Sequence, residues 1–194
     1  MTNRREIIAE AVGNAITVRT LFSPQREEWL IAASEKLATA LNNGKKILIA
    51  GNGGSAADCQ HFAAEFVVRL TSENNRRALP AIALTTDTSV LTAASNDYGF
   101  ELIFSRQVEA LGNSGDVFIG LSTSGKSKNI VAAFRSAKAR GLVTLGLFGQ
   151  AGLSEPDLCD LSLNVPATTT MRIQEEHIFA LHLLAQLTEL LISP

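Results

Sequence analysis

Aromatic residues are scarce in this chain. One Trp and one Tyr in 194 residues, with aromatics at 6% overall, provide no set of stacking platforms for single-stranded nucleic acid. Basic charge is not in excess either: 17 Lys and Arg stand against 19 Asp and Glu, a formal net of −2. The electrostatic footprint of a phosphate-backbone binder is therefore missing, and nucleic acid is excluded as a partner. No run approaches the roughly 18 apolar residues that a membrane span needs. The first residues carry Arg4, Arg5, Glu6, Glu10 and Arg19, which breaks up any signal-peptide core. Cysteines number two, Cys59 and Cys159, with no CxxC between them. They read as ordinary small residues of a reduced, cytoplasmic setting. Repeats, low-complexity stretches and linkers are also lacking.

What is present is globular: 46% hydrophobic and 19% charged residues, in a length that suits one domain. Apolar residues recur at helical spacing from Ile7 to Leu21 and from Trp29 to Leu41, with Pro24 between them as a break or a first-turn residue. The expected N-terminal helical segment covers about 1–43, closed by Asn42-Asn43-Gly44. Short apolar runs follow at 47–50, 81–84, 117–121, 143–147 and 161–165, each trailed by a small-residue turn and a helical stretch. The first four are apolar throughout, as strands covered on both faces are. Alternation of this kind predicts an α/β three-layer sandwich with a central parallel five-stranded sheet flanked by helices, over 1–194. Ligands of such sheets sit at the carboxyl ends of the strands. The stretch from Thr71 to Arg77 reads as a polar surface loop.

Two of the strand ends carry ligand-type turns. The first is Gly51-Asn52-Gly53-Gly54-Ser55, whose glycines allow close backbone approach at a helix start. A plain tight turn would look similar, and a dinucleotide fingerprint lacks its acid, since Asp87 falls too far downstream. The second is Ser122-Thr123-Ser124-Gly125-Lys126-Ser127, whose hydroxyls and amides suit a phosphate without needing net positive charge. Residues 120–127 also match the nucleotide P-loop pattern G-x-x-x-x-G-K-[ST]. The later strands end in Leu147-Phe148-Gly149 and Asn164-Val165-Pro166, with no acid to hold magnesium, so the match reads as accidental.

All three histidines fall in two helical stretches. His61 and Glu65 are four apart and share a face, so they can share a divalent ion, although such pairs are commonly plain surface contacts. Gln174 and His182 are eight apart and lie within about 80° of each other around a helix axis. His182 sits in an apolar run, where a core histidine with a satisfied partner is the ordinary reading. His177 and the Glu175-Glu176 pair read as a solvated face or a subunit contact.

Together these segments resemble the sugar isomerase (SIS) fold family, and within it the phosphoheptose isomerases. The resemblance rests on GNGGSAADCQHFAAEF at 51–66, SNDYGF at 95–100, LSTSGKS at 121–127 and RIQEEHIFALH at 172–182, in that order. It implies substrate binding by Asn52, Gly53, Gly54 and Ser55, by Asn96 and Asp97, and by the phosphate-holding Ser122, Thr123, Ser124 and Ser127. It implies one zinc per subunit on His61, Glu65, Gln174 and His182, with Glu65 and Gln174 also reaching substrate. Glu65 and His182 become the acid–base pair, and Arg69, one turn past Glu65, reaches substrate across a subunit interface. The implied assembly is a homotetramer. The implied reaction converts D-sedoheptulose 7-phosphate to D-glycero-D-manno-heptose 7-phosphate, the first step of ADP-heptose synthesis for lipopolysaccharide. The other readings are a non-catalytic SIS module in a regulatory or replication complex, and an isomerase of another sugar phosphate. The nearest non-catalytic relative has lost the equivalents of Glu65 and His182, and both stand here.

Overall fold

The computed structural model describes residues 3–192; the ends of the expected domain, residues 1–2 and 193–194, lie outside the described residues. The chain opens with one helix, α1 (Arg4–Asn42), begun by a capping box in which Asn3 and Glu6 satisfy each other's backbone amides. Five strands follow: β1 (Ile47–Ala50), β2 (Ala81–Ala83), β3 (Val117–Ser122), β4 (Val143–Phe148) and β5 (Leu161–Asn164). Between and after them come α2 (Gly54–Val67), α3 (Thr88–Tyr98), α4 (Ser105–Leu111), α5 (Lys128–Ala139) and α6 (Thr170–Leu190).

All strand pairs are parallel, in the order β2-β1-β3-β4-β5. The period-two alternation of a strand divides the core into two layers. Ile47 and Ile49 face a cluster with Trp29, Leu37, Phe62, Phe66 and Leu181, so α1, α2 and α6 cover one face. Leu48 and Ala50 face a cluster with Phe104, Ile130, Phe134 and Phe148, so α3, α4 and α5 cover the other. The three-layer sandwich is the architecture expected from the sequence. Gly120 and Gly146 sit opposite each other in register on β3 and β4. A methyl group on either would lie within 2.4 Å of a ring carbon of Phe134 or Phe148, so these two glycines make room for a layer of tilted and edge-on aromatic rings.

Three details depart from expectation. Pro24 does not break the helix; it lies inside α1. A proline removes one helical hydrogen bond and crowds the preceding turn. Here Arg19 on one side of it and Arg26 on the other both donate to Glu176 of α6, and both guanidinium groups lie over the Phe179 ring. That contact holds the helix together across the defect. Second, the apolar run of β2 is not covered on both faces: Ile82 is exposed, because β2 is an edge strand. Third, Glu176 and His177 are fully buried rather than solvated, since α6 is packed between the sheet and α1.

Candidate active site

The sheet reverses its direction of growth between β1 and β3: the chain leaves β1 outward to β2, then returns to β3 on the other side. The loops after these two neighbouring strands therefore diverge and leave a crevice at their carboxyl ends. Those loops are the two ligand-type turns of the sequence, 51–54 and 122–127. No membrane-crossing helix exists among the described residues.

In the first loop Gly53 takes a φ of +57°, a left-handed conformation that glycine adopts freely. Ser55 is buried in the first turn of α2. Asn52 exchanges two hydrogen bonds with Asn129 in α5, at 3.0 and 2.8 Å. This amide pair ties the first loop to the helix that follows the second. Asn129 is buried and is a site neighbour that sequence reading missed; the available signal was a lone amide opening the apolar face of α5. Gly54 lies against Gln174: a Cβ added to it would stand 2.8 Å from the Gln174 amide nitrogen.

The second loop is braced from within and from behind. Ser122 and Ser127 share a hydroxyl hydrogen bond of 2.9 Å, and Lys126 donates its amide to Ser124 Oγ at 3.2 Å. Ser127 is the N-cap of α5, but its side chain makes no capping bond, which leaves first-turn amides of α5 without a side-chain partner. Gly125 has a φ of +64°, and its backbone packs onto the Gly152 carbonyl so closely that no Cβ could fit. Ser154 donates to the Gly125 carbonyl and Gly149 to the Thr123 carbonyl, at 2.9 and 3.2 Å.

The histidines converge. His61 and Glu65 stand on α2, His182 on α6, and their ligand atoms form one triangle. The two Nε2 atoms are 2.9 Å apart, His61 Nε2 lies 3.2 Å from Glu65 Oε1, and His182 Nε2 lies 3.4 Å from the same oxygen. Zinc bonds of about 2.0–2.1 Å in a tetrahedral set place ligand atoms about 3.3 Å apart, so the triangle has the size of one face of such a site. Two observations make the fit chemical as well. Two facing imidazole nitrogens can share only one proton, and the second oxygen of Glu65, Oε2, is buried without a hydrogen-bond partner. A divalent cation satisfies all three groups at once.

Burial raises the Glu65 carboxyl above its ordinary range, opposed by the neighbouring His61 and reinforced by Glu189. Burial lowers His182, helped by the charge of His61. Both shifts favour the neutral forms, because burial penalises charge. The imidazoles are about half exposed while Glu65 is buried, so the group opens toward solvent on the histidine side.

The remaining candidates stand apart from this triangle. Asn96 and Asp97, near the end of α3, are exposed and bonded to each other at 2.8 Å. Arg69 is exposed and lies just past the end of α2 at Val67 rather than on its next turn. A cavity of about 650 Å³ between α1 and β5 is lined by Trp29, Gln150 and Asn164, among others. It contains none of the candidate residues.

A parallel sandwich of this order, with its ligand turns at the β1/β3 crevice, is the architecture of a sugar-isomerase domain, and the SIS domain model matches residues 12–149. The chain is 53% identical over 175 residues to the phosphoheptose isomerase of Burkholderia pseudomallei, covering 88% of each. It is 50% identical over 189 residues to that of Geobacter metallireducens, covering 97% of this chain and 93% of the relative. The phosphoheptose isomerase structure from Francisella tularensis superposes with a TM-score of 0.93 at 32% identity, over 97% of this chain and all of that one. That of Neisseria gonorrhoeae gives 0.87 at 41%, over 96% and 99%. The chain belongs to the phosphoheptose isomerase branch of the SIS family.

Proposed function

We propose that this protein isomerises D-sedoheptulose 7-phosphate to D-glycero-D-manno-heptose 7-phosphate, a ketose-to-aldose conversion that starts ADP-heptose synthesis for lipopolysaccharide. The observation that carries the reading is the convergence of His61, Glu65 and His182 between α2 and α6, in a chain half identical to phosphoheptose isomerases.

In the forward direction a base removes a proton from C1, the C1–C2 bond gains double-bond character, and charge collects on the C2 oxygen. A proton then returns to C2, and the C1 hydroxyl gives up its own as the C2 oxygen takes one up, which yields the aldehyde. Glu65 and His182 are the acid–base pair. Glu65, raised by burial, is a stronger base than an exposed glutamate, and His182 can hold or release a proton at Nε2. The hydroxyls of Ser122, Thr123, Ser124 and Ser127, with the open first-turn amides of α5, hold the phosphate and so orient C1 and C2. Asn52, Gly53, Gly54, Ser55, Asn96, Asp97 and Gln174 hold the sugar, and Arg69 reaches the site of a neighbouring subunit. His61, Glu65, Gln174 and His182 would hold one zinc per subunit, which supplies Lewis-acid stabilisation of the developing oxyanion.

The exposed apolar stripe of α1, with Ile8, Val12 and Ile16 between 54% and 64% exposed, supports a homotetramer built around these helices, and two free cysteines support a cytoplasmic location. Incubation of the zinc-loaded protein with D-sedoheptulose 7-phosphate, followed by NMR, should show an aldose signal; its absence refutes the activity. Glu65→Gln and His182→Gln should each lower kcat by at least about 10²-fold while leaving the circular dichroism unchanged. Near-normal turnover in either would remove that residue from the chemistry.

A further inference from the structure

The loop between α2 and β2, polar in sequence, holds a part-buried arginine that bridges the two helices that carry the triangle. Arg76 donates from Nη2 to the Glu65 carbonyl at 2.6 Å and from Nη1 to the Phe66 carbonyl at 2.9 Å. These belong to the last four carbonyls of α2, which have no helical partner, and a cation at a helix carboxyl end is favourable. On its other side the same guanidinium meets Glu189 in the last turn of α6: Nε and Nη2 each lie 2.7 Å from Oε1. Asn74, from the same loop, donates to Glu189 Oε2 at 3.0 Å. The Arg76 and Glu189 side chains are 9% and 6% exposed, so this is a desolvated contact whose planar fork fixes distance and direction together.

Glu189 and His182 are seven residues apart, about two turns, and so share the face of α6 that looks at α2. Glu65 gives its carboxylate to the triangle and its carbonyl to Arg76. One pair of helices thus meets twice, at the ligand atoms and at the guanidinium.

We propose that Arg76 is a positioning residue for the metal centre, setting the separation of α2 from α6 at which His61, Glu65 and His182 come within bonding range of one ion. This rests on the metal-site reading above. Charge alone makes the opposite prediction. Removing a cation and leaving the Glu189 carboxylate free should tighten the binding of a divalent ion, whereas losing the spacer should weaken it.

The test is zinc affinity of the metal-stripped full chain, measured by competition with a chromogenic chelator, for wild type, Arg76→Ala and Arg76→Lys. Melting temperature of each stripped protein is recorded alongside. Residues that orient metal ligands typically contribute about 10- to 100-fold in affinity, so Arg76→Ala should weaken zinc by about that factor and Arg76→Lys by more than about threefold. The lysine keeps the charge and loses the fork. It also decides the matter if the alanine variant fails to fold. Lys46→Met serves as the stability control. It breaks a part-buried pair with Asp116 at 2.6 Å between the starts of β1 and β3, a contact that involves neither Arg76 nor the triangle, and should lower the melting temperature without changing zinc affinity. Unchanged or tighter zinc binding in Arg76→Ala, or a smaller loss in Arg76→Lys, overturns the positioning role while leaving the metal site standing. Failure of the wild type to compete for zinc overturns both.

Discussion

Gly54 has no side chain, and the Gln174 amide occupies the space where one would be. A methyl group there meets only the end of a flexible side chain, so the fold should tolerate Gly54→Ala, and alanine is the better helix former at the start of α2. What should move is Gln174. Misplacement by about 1 Å in a reacting constellation can cost about 10²-fold, so kcat should fall by an amount of that order with the melting temperature unchanged or raised. Steady-state kinetics beside a thermal melt separates the two effects. Gly125 is a harder case of the same kind, since its neighbour is the Gly152 backbone carbonyl, which has no rotamer to give way.

At the scale of elements, α6 docks onto the carboxyl end of β4 through His177, whose Nε2 meets the Phe148 carbonyl at 3.2 Å. Burial lowers this imidazole to about 4, partly offset by that carbonyl. The folded protein therefore keeps His177 neutral where the unfolded chain would already bind a proton. Its contribution is complete above pH 6.5 and is lost as pH falls toward 4, on the order of 3 kcal/mol in all. His177→Gln should flatten the fall of stability between pH 6.5 and 4, measured by urea titration across that window. The position also marks where sequence ceased to be legible. The strands, the sheet class and the two loops follow from apolar runs and glycine turns, which are local signals. Whether Glu176 and His177 face water depends on α1 covering α6, a contact between residues about 150 apart. Continuity of α1 through Pro24 depends on the same contact. His61 and Glu65 were readable as a pair by their spacing, but their meeting with His182 was not: that placement came from family resemblance, and the tertiary fold supplies the distance.

On the scale of the whole molecule, Ile8, Val12 and Ile16 form an exposed apolar stripe along the N-terminal half of α1. Substituting exposed positions has little effect on a monomer's stability. Val12→Asp with Ile16→Asp should therefore leave the fold intact and break the assembly. Light scattering should show wild type at about four times the 20.7 kDa chain mass and the double variant well below it; an unchanged mass would place the interface elsewhere. The candidate ion site adds a constraint in time as well as space. Its groups come from α2, near the first strand, and from α6, with His61 and His182 standing 121 residues apart, so a chain leaving the ribosome has an incomplete set until α6 emerges. Any cation that uses all three groups must be captured after α6 is made, and a polypeptide cut ahead of His182 could fold its sheet and still remain metal-free.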